Sequence, residues 1–285
     1  MMLESRAEKF TYYHYDPSVA AAIIFIVLFL LTTLLHAYQM FRTRTWFFIP
    51  FVLGGLCEMI GYVGRAVSAA QTGERTSGPY IVQSVLPLLA PALFAASIYM
   101  ELGRIVEVVE GDANLFIKRR FLTAIFVCGD VLSFAMQGAG GGLLASKTTS
   151  SRNLGTTIIE AGLGVQVGFF VVFVLAATIF HWRMRKTPTS RSLEIGWQRH
   201  MVALYTTSLL ILVRSIFRLV EFSDGFDGPL LQHEVYIYVF DAALMLFVML
   251  IMNWVHPSEI KSWLKGGKAV QGFRMKTPMT TVTNV

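Results

Sequence analysis

The sequence predicts an all-α integral membrane protein, built as a bundle of seven transmembrane helices. Of its 285 residues, 54% are hydrophobic and 15% are charged, whereas a soluble domain usually carries about 25% charged residues. Apolar runs of about 20 residues, the length that crosses a bilayer as a helix, recur seven times along the chain. So much apolar surface is better explained by contact with lipid than by one soluble core.

The apolar runs give the position of each helix. They predict spans near Val19–Tyr38, Phe47–Ala70, Tyr80–Arg104, Phe121–Leu144, Thr157–Phe180, His200–Glu221 and Val235–His256. The first run is long enough to stay in the bilayer, so no removable signal peptide is expected. We therefore expect an extracellular segment over 1–18, a transmembrane domain over 19–256 and a basic cytoplasmic tail over 257–285, disordered from Lys265 onward.

The basic residues predict the orientation. Sixteen of the 24 Lys and Arg residues follow spans 1, 3, 5 and 7, and five lie on the opposite side. By the positive-inside rule the N-terminus is outside and the C-terminus is cytoplasmic. The net charge of +6 then reflects this orientation, and nucleic acid is not expected as a partner because no basic soluble domain is present.

Eight charged residues fall inside or at the edges of the predicted spans. They are Glu58, Arg65, Asp130, Glu160, Arg214, Arg218, Glu221 and Asp241. At the bilayer centre each would cost about 2.5–3.5 kcal/mol, so eight unpaired charges would cost about 20–28 kcal/mol, less for those off centre. They must face one another or water inside the bundle. Arg214, Arg218 and Glu221, spaced i, i+4 and i+7, share one helix face.

The predicted orientation also gives the depth of these residues. The outer half of the membrane is expected to hold Arg65, Gln83, Gln137, Glu160, Gln166, Arg214, Arg218 and Asp241. Glu58 and Asp130 are expected nearer the midplane. Scattered structural residues would not share one depth, so the sequence predicts a hydrated cavity in the outer half, lined by spans 2 to 7.

Two interpretations of these charges stay open. Pairs such as Arg65 with Asp241, or Arg218 with Glu221, can simply hold the bundle together. Alternatively, the arginines can fork onto a phosphate or carboxylate, while the acidic residues can bind an amine or carry protons.

Glycines and prolines predict the packing of three spans. Glycines in spans 2, 4 and 5 are expected to allow close helix approach, with local unwinding at Gly138–Gly142 as an alternative. Pro87 and Pro91 are expected to kink span 3. Cys57 and Cys128 fit packing better than a disulfide, and His36 and His256 lack the further ligands of a zinc site.

Short motifs in a fixed order carry a family resemblance. They are Tyr15-Asp16-Pro17-Ser18, His36, Glu58 with Gly61-Tyr62 and Gly64-Arg65, Gln83, Asp130, Gln137-Gly138, Gly162 with Gln166, Arg214 with Phe217-Arg218 and Glu221, Glu234 with Tyr236, Tyr238 and Phe240-Asp241, and His256-Pro257. This set resembles the fungal lipid-translocating exporter family, also called the Rta-like or resistance-to-aminocholesterol family. The resemblance covers approximately residues 12–260.

The resemblance implies a seven-helix fungal protein, often at the plasma membrane. Family members are linked to release of sphingoid long-chain bases, to phospholipid asymmetry and to resistance to toxic amphiphiles, and one branch to porphyrin and haem traffic. The candidate ligand-binding residues, which match the family's pattern, are Glu58, Arg65, Gln83, Asp130, Gln137, Gln166, Arg214, Arg218, Glu221 and Asp241.

The leading hypothesis is therefore a transporter or translocator of an amphiphilic lipid. The alternatives are a receptor-like lipid sensor, acting through a cytoplasmic regulatory partner, and a porphyrin or haem transporter. An enzyme is not expected: the chain has no phosphate-binding loop for ATP, and Ser133 near Asp130 lacks a histidine base at its depth. No catalytic residue, metal or cofactor is expected.

Overall fold

The protein is a bundle of long antiparallel helices. The structure, a computed structural model, describes residues 17–71, 76–115, 117–144, 148–224 and 233–276. Its helices are α1 (Val19–Thr43), α2 (Ile49–Ala70), α3 (Ser77–Val108), α4 (Arg119–Leu144), α5 (Thr149–Lys186), α6 (Ser190–Glu194), α7 (Trp197–Ser223), α8 (Glu234–Ile237), α9 (Leu244–Trp254) and α10 (Ser258–Lys265), and its strands are β1 (Ala269–Gln271) and β2 (Arg274–Lys276). A π-helical turn, Tyr238–Ala243, joins α8 to α9.

Seven of these helical segments are long and apolar enough to cross a membrane, which confirms the predicted fold class. In lipid, a helix satisfies all its backbone hydrogen bonds within one segment. Large apolar side chains such as Leu31, Val131 and Leu175 remain exposed on the outer faces, as lipid contact requires. The helices run past the predicted ends, most clearly in α5, which covers Thr149–Lys186. Its polar first turns and basic last turn lie outside a hydropathy window.

Helix α1 and the seventh membrane helix begin side by side. The Ser18 hydroxyl accepts a hydrogen bond from the backbone N–H of Ala21 (3.3 Å), which caps α1. The backbone N–H of Ser18 donates to both carboxylate oxygens of Glu234 (3.0 and 2.9 Å). We call the end of the bundle that carries Ser18 the N-terminal face and the opposite end the C-terminal face. Residues 1–16, including Tyr15 and Asp16 of the family motif, lie outside the described residues.

Helix α3 lies at the centre, in contact with α2, α4, α7 and α10. Its contact with α2 depends on glycine: a Cβ at Gly54 would come within 2.7 Å of the Phe94 ring, and one at Gly61 within 2.6 Å of Pro87 Cγ. The predicted packing role of the α2 glycines is thus confirmed. Helix α4 is continuous to Leu144, so the alternative of local unwinding at Gly138–Gly142 is wrong.

The C-terminal face is closed by α10 and the β1–β2 hairpin. The expected disorder from Lys265 onward is wrong as far as Lys276; residues 277–285 lie outside the described part. The hairpin is attached to α10 because the Val270 N–H donates to the Ser258 hydroxyl (3.0 Å) and Gln271 Nε2 donates to Glu259 Oε1 (2.5 Å). Polar side chains therefore fix a segment whose Gly- and Lys-rich composition predicted disorder.

A buried histidine joins α10 to the bundle. His200 of α7 lies 3.2 Å from Glu101 of α3 through Nδ1, and 3.3 Å from Glu259 of α10 through Nε2. The side chains of His200 and Glu101 are fully buried. We call these three residues the histidine bridge; it links the hairpin to two membrane helices.

Candidate functional site

The centre of the site is a carboxylate shared by two arginines. Arg214 Nε and Arg218 Nη2, both of α7, donate to different oxygens of Asp241. Arg218 Nη1 also donates to Glu221 Oε2 at 2.8 Å, as predicted from their i, i+3 spacing. Asp241 and Arg214 are 1% and 2% exposed. We call Arg214, Arg218, Glu221 and Asp241 the ionic network. Its two positive and two negative groups balance in a water-poor interior.

The two prolines of α3 supply a further acceptor to this network. Pro91 has no N–H, so the carbonyl of Pro87, one turn earlier, has no helical donor. Arg214 Nη2 donates to that carbonyl at 2.5 Å. Beside any kink they cause, the prolines therefore connect the backbone of α3 directly to the ionic network.

Asp241 lies in the π-helical turn Tyr238–Ala243. A π turn holds one extra residue, and such turns often occur at functional sites. The turn changes the face that the preceding residues present. No signal in the sequence marked this turn.

Arg65 has partners other than the predicted one. Its Nη2 donates to Glu234 Oε1 (2.8 Å) and its Nε to the Tyr238 hydroxyl (3.1 Å). The guanidinium also lies 5.2 Å from the centre of the Tyr238 ring, at cation–π distance. The suggested pairing of Arg65 with Asp241 is wrong, because Arg65 lies near the end of α2 and meets the start of α8.

Glu58 is a fully buried acid beside the ionic network. Neither of its carboxyl oxygens has a hydrogen-bond partner. It lies close enough to Asp241, Arg214 and Arg218 to interact with their charges. Glu58 is thus a third acid next to a network whose charges already balance.

Three further predicted residues, Asp130, Gln137 and Gln166, form a second set between α4 and α5, together with Ser133. Asp130, Ser133 and Gln137 follow one another along one face of α4. Gln137 Nε2 donates to the Ser133 hydroxyl (2.8 Å) and to Gln166 Oε1 on α5 (3.2 Å). The Ser133 hydroxyl donates to the Gly162 carbonyl at 2.6 Å. We call Asp130, Ser133, Gln137 and Gln166 the polar ladder.

The structure thus places seven of the ten predicted residues in two sets, while Glu58 lies beside the ionic network and Arg65 and Gln83 belong to neither set. Among the described residues, the hydrogen bonds of the ionic network and of the polar ladder stay within each set or go to backbone carbonyls. Gln83 is partly buried, and its Oε1 has no partner. Both sets lie between the middle of the bundle and its N-terminal face, as the shared depth predicted. Within the described ranges, no group of three or more His, Cys, Asp or Glu side chains could hold a metal ion. Cys57 and Cys128 are free.

This chain is similar in sequence to a known protein family. A protein-family profile described as "RTA1 like protein" matches residues 51–262. The chain belongs to the RTA1-like family. The matched segment contains both polar sets of this RTA1-like chain and also the histidine bridge.

Several curated relatives of this RTA1-like protein come from yeast. "Protoporphyrin uptake protein 1" of Saccharomyces cerevisiae is 42% identical, over 86% of this chain and 91% of that protein. "Protein RTM1" of the same species is 38% identical, over 88% and 93% of the two chains. "Sphingoid long-chain base transporter RSB1" of S. cerevisiae strain Lalvin EC1118 is 26% identical, over 93% and 75%. No solved structure matches the chain.

Proposed function

We propose that this protein translocates an amphiphilic lipid across the membrane and binds the charged headgroup at the ionic network. The observation that carries the proposal is that a buried arginine, Arg214, and a partly buried one, Arg218, share one carboxylate, Asp241, inside a bundle whose outer surface is apolar. Relatives named as transporters of a sphingoid base and as a protoporphyrin uptake protein support a transport role.

The network suits exchange of one anion for another. Arginine guanidinium groups bind phosphate and carboxylate through paired N–H donors. A phosphate or carboxylate headgroup that takes the place of Asp241 keeps both arginines paired. The displaced Asp241 would be an unpaired buried carboxylate, which is costly, so the exchange requires that Asp241 take up a proton or a new donor.

The surroundings suit a ligand with a hydrocarbon tail. Residues on the lipid side of α7 and of the π turn, such as Val213, Ile216 and Val239, are exposed. A headgroup bound by Arg214 and Arg218 can therefore keep its tail in the lipid between α7 and the seventh membrane helix. We expect the N-terminal face to be extracellular, because the basic loops lie at the other face, and we expect residence in the plasma membrane.

Glu58 gives the exchange a route for charge balance. It is buried beside both arginines of the network and accepts no hydrogen bond. If Asp241 gives up an arginine to the ligand, a proton carried by the Glu58 carboxyl can be donated to the released Asp241 carboxylate, which removes the excess negative charge. Without a phosphate-binding loop, movement follows a gradient of the lipid or is coupled to an ion through such a carboxylate.

A porphyrin is the second candidate ligand, favoured by the relative named as a protoporphyrin uptake protein. Protoporphyrin carries two carboxylates on a flat apolar ring. Arg214 and Arg218, on one face of α7, suit two carboxylates as well as one phosphate.

The test uses purified protein in liposomes that carry a fluorescent phospholipid in both leaflets. A membrane-impermeant quencher reports movement, and fluorescent protoporphyrin serves in parallel as an uptake substrate. Wild type is compared with Arg214→Ala and with Arg185→Ala, which removes an exposed arginine at the C-terminal face.

We expect movement of one or both substrates with wild type and Arg185→Ala, and loss of that movement with Arg214→Ala. Saturable binding of either substrate without movement would favour the lipid-sensor alternative, whose cytoplasmic partner would then be sought. Equal movement by all three proteins would contradict the proposed role of the ionic network.

A further inference from the structure

Asp130 and Glu58 are the two buried acids among the described residues that make no ion pair, and Asp130, unlike Glu58, does not lie beside the arginines of the ionic network. Asp241 accepts from two arginines and Glu221 from one, while Glu101 faces His200. Asp130 is 4% exposed, and neither of its oxygens has a hydrogen-bond partner. Among the described residues, no basic side chain lies close enough to influence its charge.

Aromatic rings form the surroundings of Asp130. Tyr99 of α3 lies next to the carboxyl with its hydroxyl as the neighbouring donor, although the two groups do not reach hydrogen-bond geometry. Its ring centre lies 4.5 Å from that of Phe173 on α5 and 5.4 Å from that of Phe126. Phe126 precedes Asp130 by one turn of α4, so it lies on the same helix face.

The two Asp130 oxygens are unpaired acceptors, and Gln137 Oε1, two turns farther along α4, is a third among the described residues. A buried carboxylate without a donor costs free energy that a cationic donor recovers. A primary ammonium supplies three N–H donors and a positive charge, and it is also attracted to the faces of aromatic rings.

From these observations we infer that Asp130, with Tyr99 beside it and the Phe126 and Phe173 rings packed against Tyr99, is a binding site for the ammonium headgroup of a cationic amphiphile, separate from the ionic network. The other residues of the polar ladder lie between this site and the N-terminal face, since Gln137 is about 10 Å from Asp130 along α4 in that direction. The inference rests on the proposed function for its transport role. It assigns amines to the polar ladder and leaves anionic headgroups to the arginines.

The division follows from how the acids are occupied. An ammonium at Asp241 would displace two arginines and leave them unpaired in the interior. At Asp130 the same ammonium displaces nothing. The cationic and anionic ligands that this family's relatives suggest therefore need different sites in one bundle.

The test measures binding of radiolabelled octadecylamine to the purified full chain in detergent. Octadecanol, which has the same tail and no charge, is the comparison ligand. Wild type is compared with Asp130→Asn and with Glu160→Gln, the same chemical change at a partly buried acid on α5. Fluorescent-phospholipid movement in liposomes is measured for each protein.

We expect wild type and Glu160→Gln to prefer the amine to the alcohol, and Asp130→Asn to bind the amine about tenfold more weakly, as loss of one charge-assisted hydrogen bond implies. Phospholipid movement by wild type tests the proposed function separately. Equal affinity of folded Asp130→Asn and wild type for octadecylamine would overturn the inference. So would equal affinity of wild type for the amine and the alcohol, a comparison that needs no variant to fold. Amine binding that depends on Asp130, in a protein that moves no phospholipid or porphyrin, would leave this site standing and reject the proposed function.

Discussion

The substitution Asp241→Asn tests the ionic network most directly. Asparagine keeps the shape and one acceptor oxygen but removes the charge that Arg214 and Arg218 share. Arg218 keeps Glu221, whereas Arg214 keeps only the Pro87 carbonyl. Removal of one partner of a buried ion pair usually costs about 3–5 kcal/mol. We expect a loss of about 3 kcal/mol in the free energy of unfolding, because the retained oxygen still accepts one hydrogen bond.

A double variant separates pairing from general damage. Arg214→Met alone leaves Asp241 paired with Arg218 but deprives the Pro87 carbonyl of its donor, at a cost of about 2 kcal/mol. With Asp241→Asn also present, the unpaired positive charge is gone and the Arg218–Glu221 pair remains. The double variant should therefore lose about 3 kcal/mol, about 2 kcal/mol less than the sum of the two single losses.

The measurement is unfolding of purified protein in mixed micelles, followed by far-ultraviolet circular dichroism as the denaturing detergent is increased. Arg185→Met combined with Asp241→Asn is the control, and its effects should add because the two residues lie at opposite faces of the bundle. If the Arg214 and Asp241 effects also add to within about 0.5 kcal/mol, the two residues are not energetically paired and the reasoning fails.

Three further predictions concern the helix contacts that surround the site. Pro91→Ala supplies an N–H that competes with Arg214 for the Pro87 carbonyl. We therefore expect a free energy of unfolding higher by about 1–3 kcal/mol and slower lipid movement in liposomes. Faster movement would contradict a role of this carbonyl in the ionic network. Gly61→Ala should destabilise the protein by about 1–3 kcal/mol because its Cβ would overlap a proline ring, whereas Gly138→Ala faces open space and should be neutral or slightly stabilising in the same unfolding assay. His200→Ala leaves two buried acids without their partner, so limited proteolysis should release the C-terminal hairpin much faster than in wild type or in the control His181→Ala; equal rates would show that the histidine bridge does not hold the hairpin.

The fold was predictable because length and apolar composition suffice to identify a membrane helix. The Arg218–Glu221 pair was predictable for a similar reason, since the two residues are close along one helix. The similar depth of Gln137 and Gln166 was predictable because orientation places both in the same half of the bundle, but their hydrogen bond was not. These features depend on local sequence or on distance along the membrane normal.

The missed contacts depend on exact depth and on the rotation and packing of helices, which the sequence does not specify. Arg65 meets Glu234 instead of Asp241 because the end of α2 lies beside the start of α8, two helical turns before Asp241. The histidine bridge was missed because Glu101 and His200 lie at helix ends near the C-terminal face, and Glu259 was assigned to the cytoplasmic tail. A signal existed in principle: these three residues share one depth, as the residues of the ionic network do.

The π turn lets the seventh membrane helix direct polar side chains toward two different neighbouring helices. Compared with an uninterrupted α-helix, one additional residue rotates Glu234 and Tyr238 by about 100° relative to α9. Because of that rotation, Glu234 and Tyr238 contact Arg65 of α2, whereas Asp241 accepts hydrogen bonds from the two arginines of α7. Deletion of a single residue between Tyr238 and Ala243 would restore an ordinary helix and misalign one of these two sets. Relatives without the bulge should therefore show a one-residue gap here, and they should pair their α2 arginine differently.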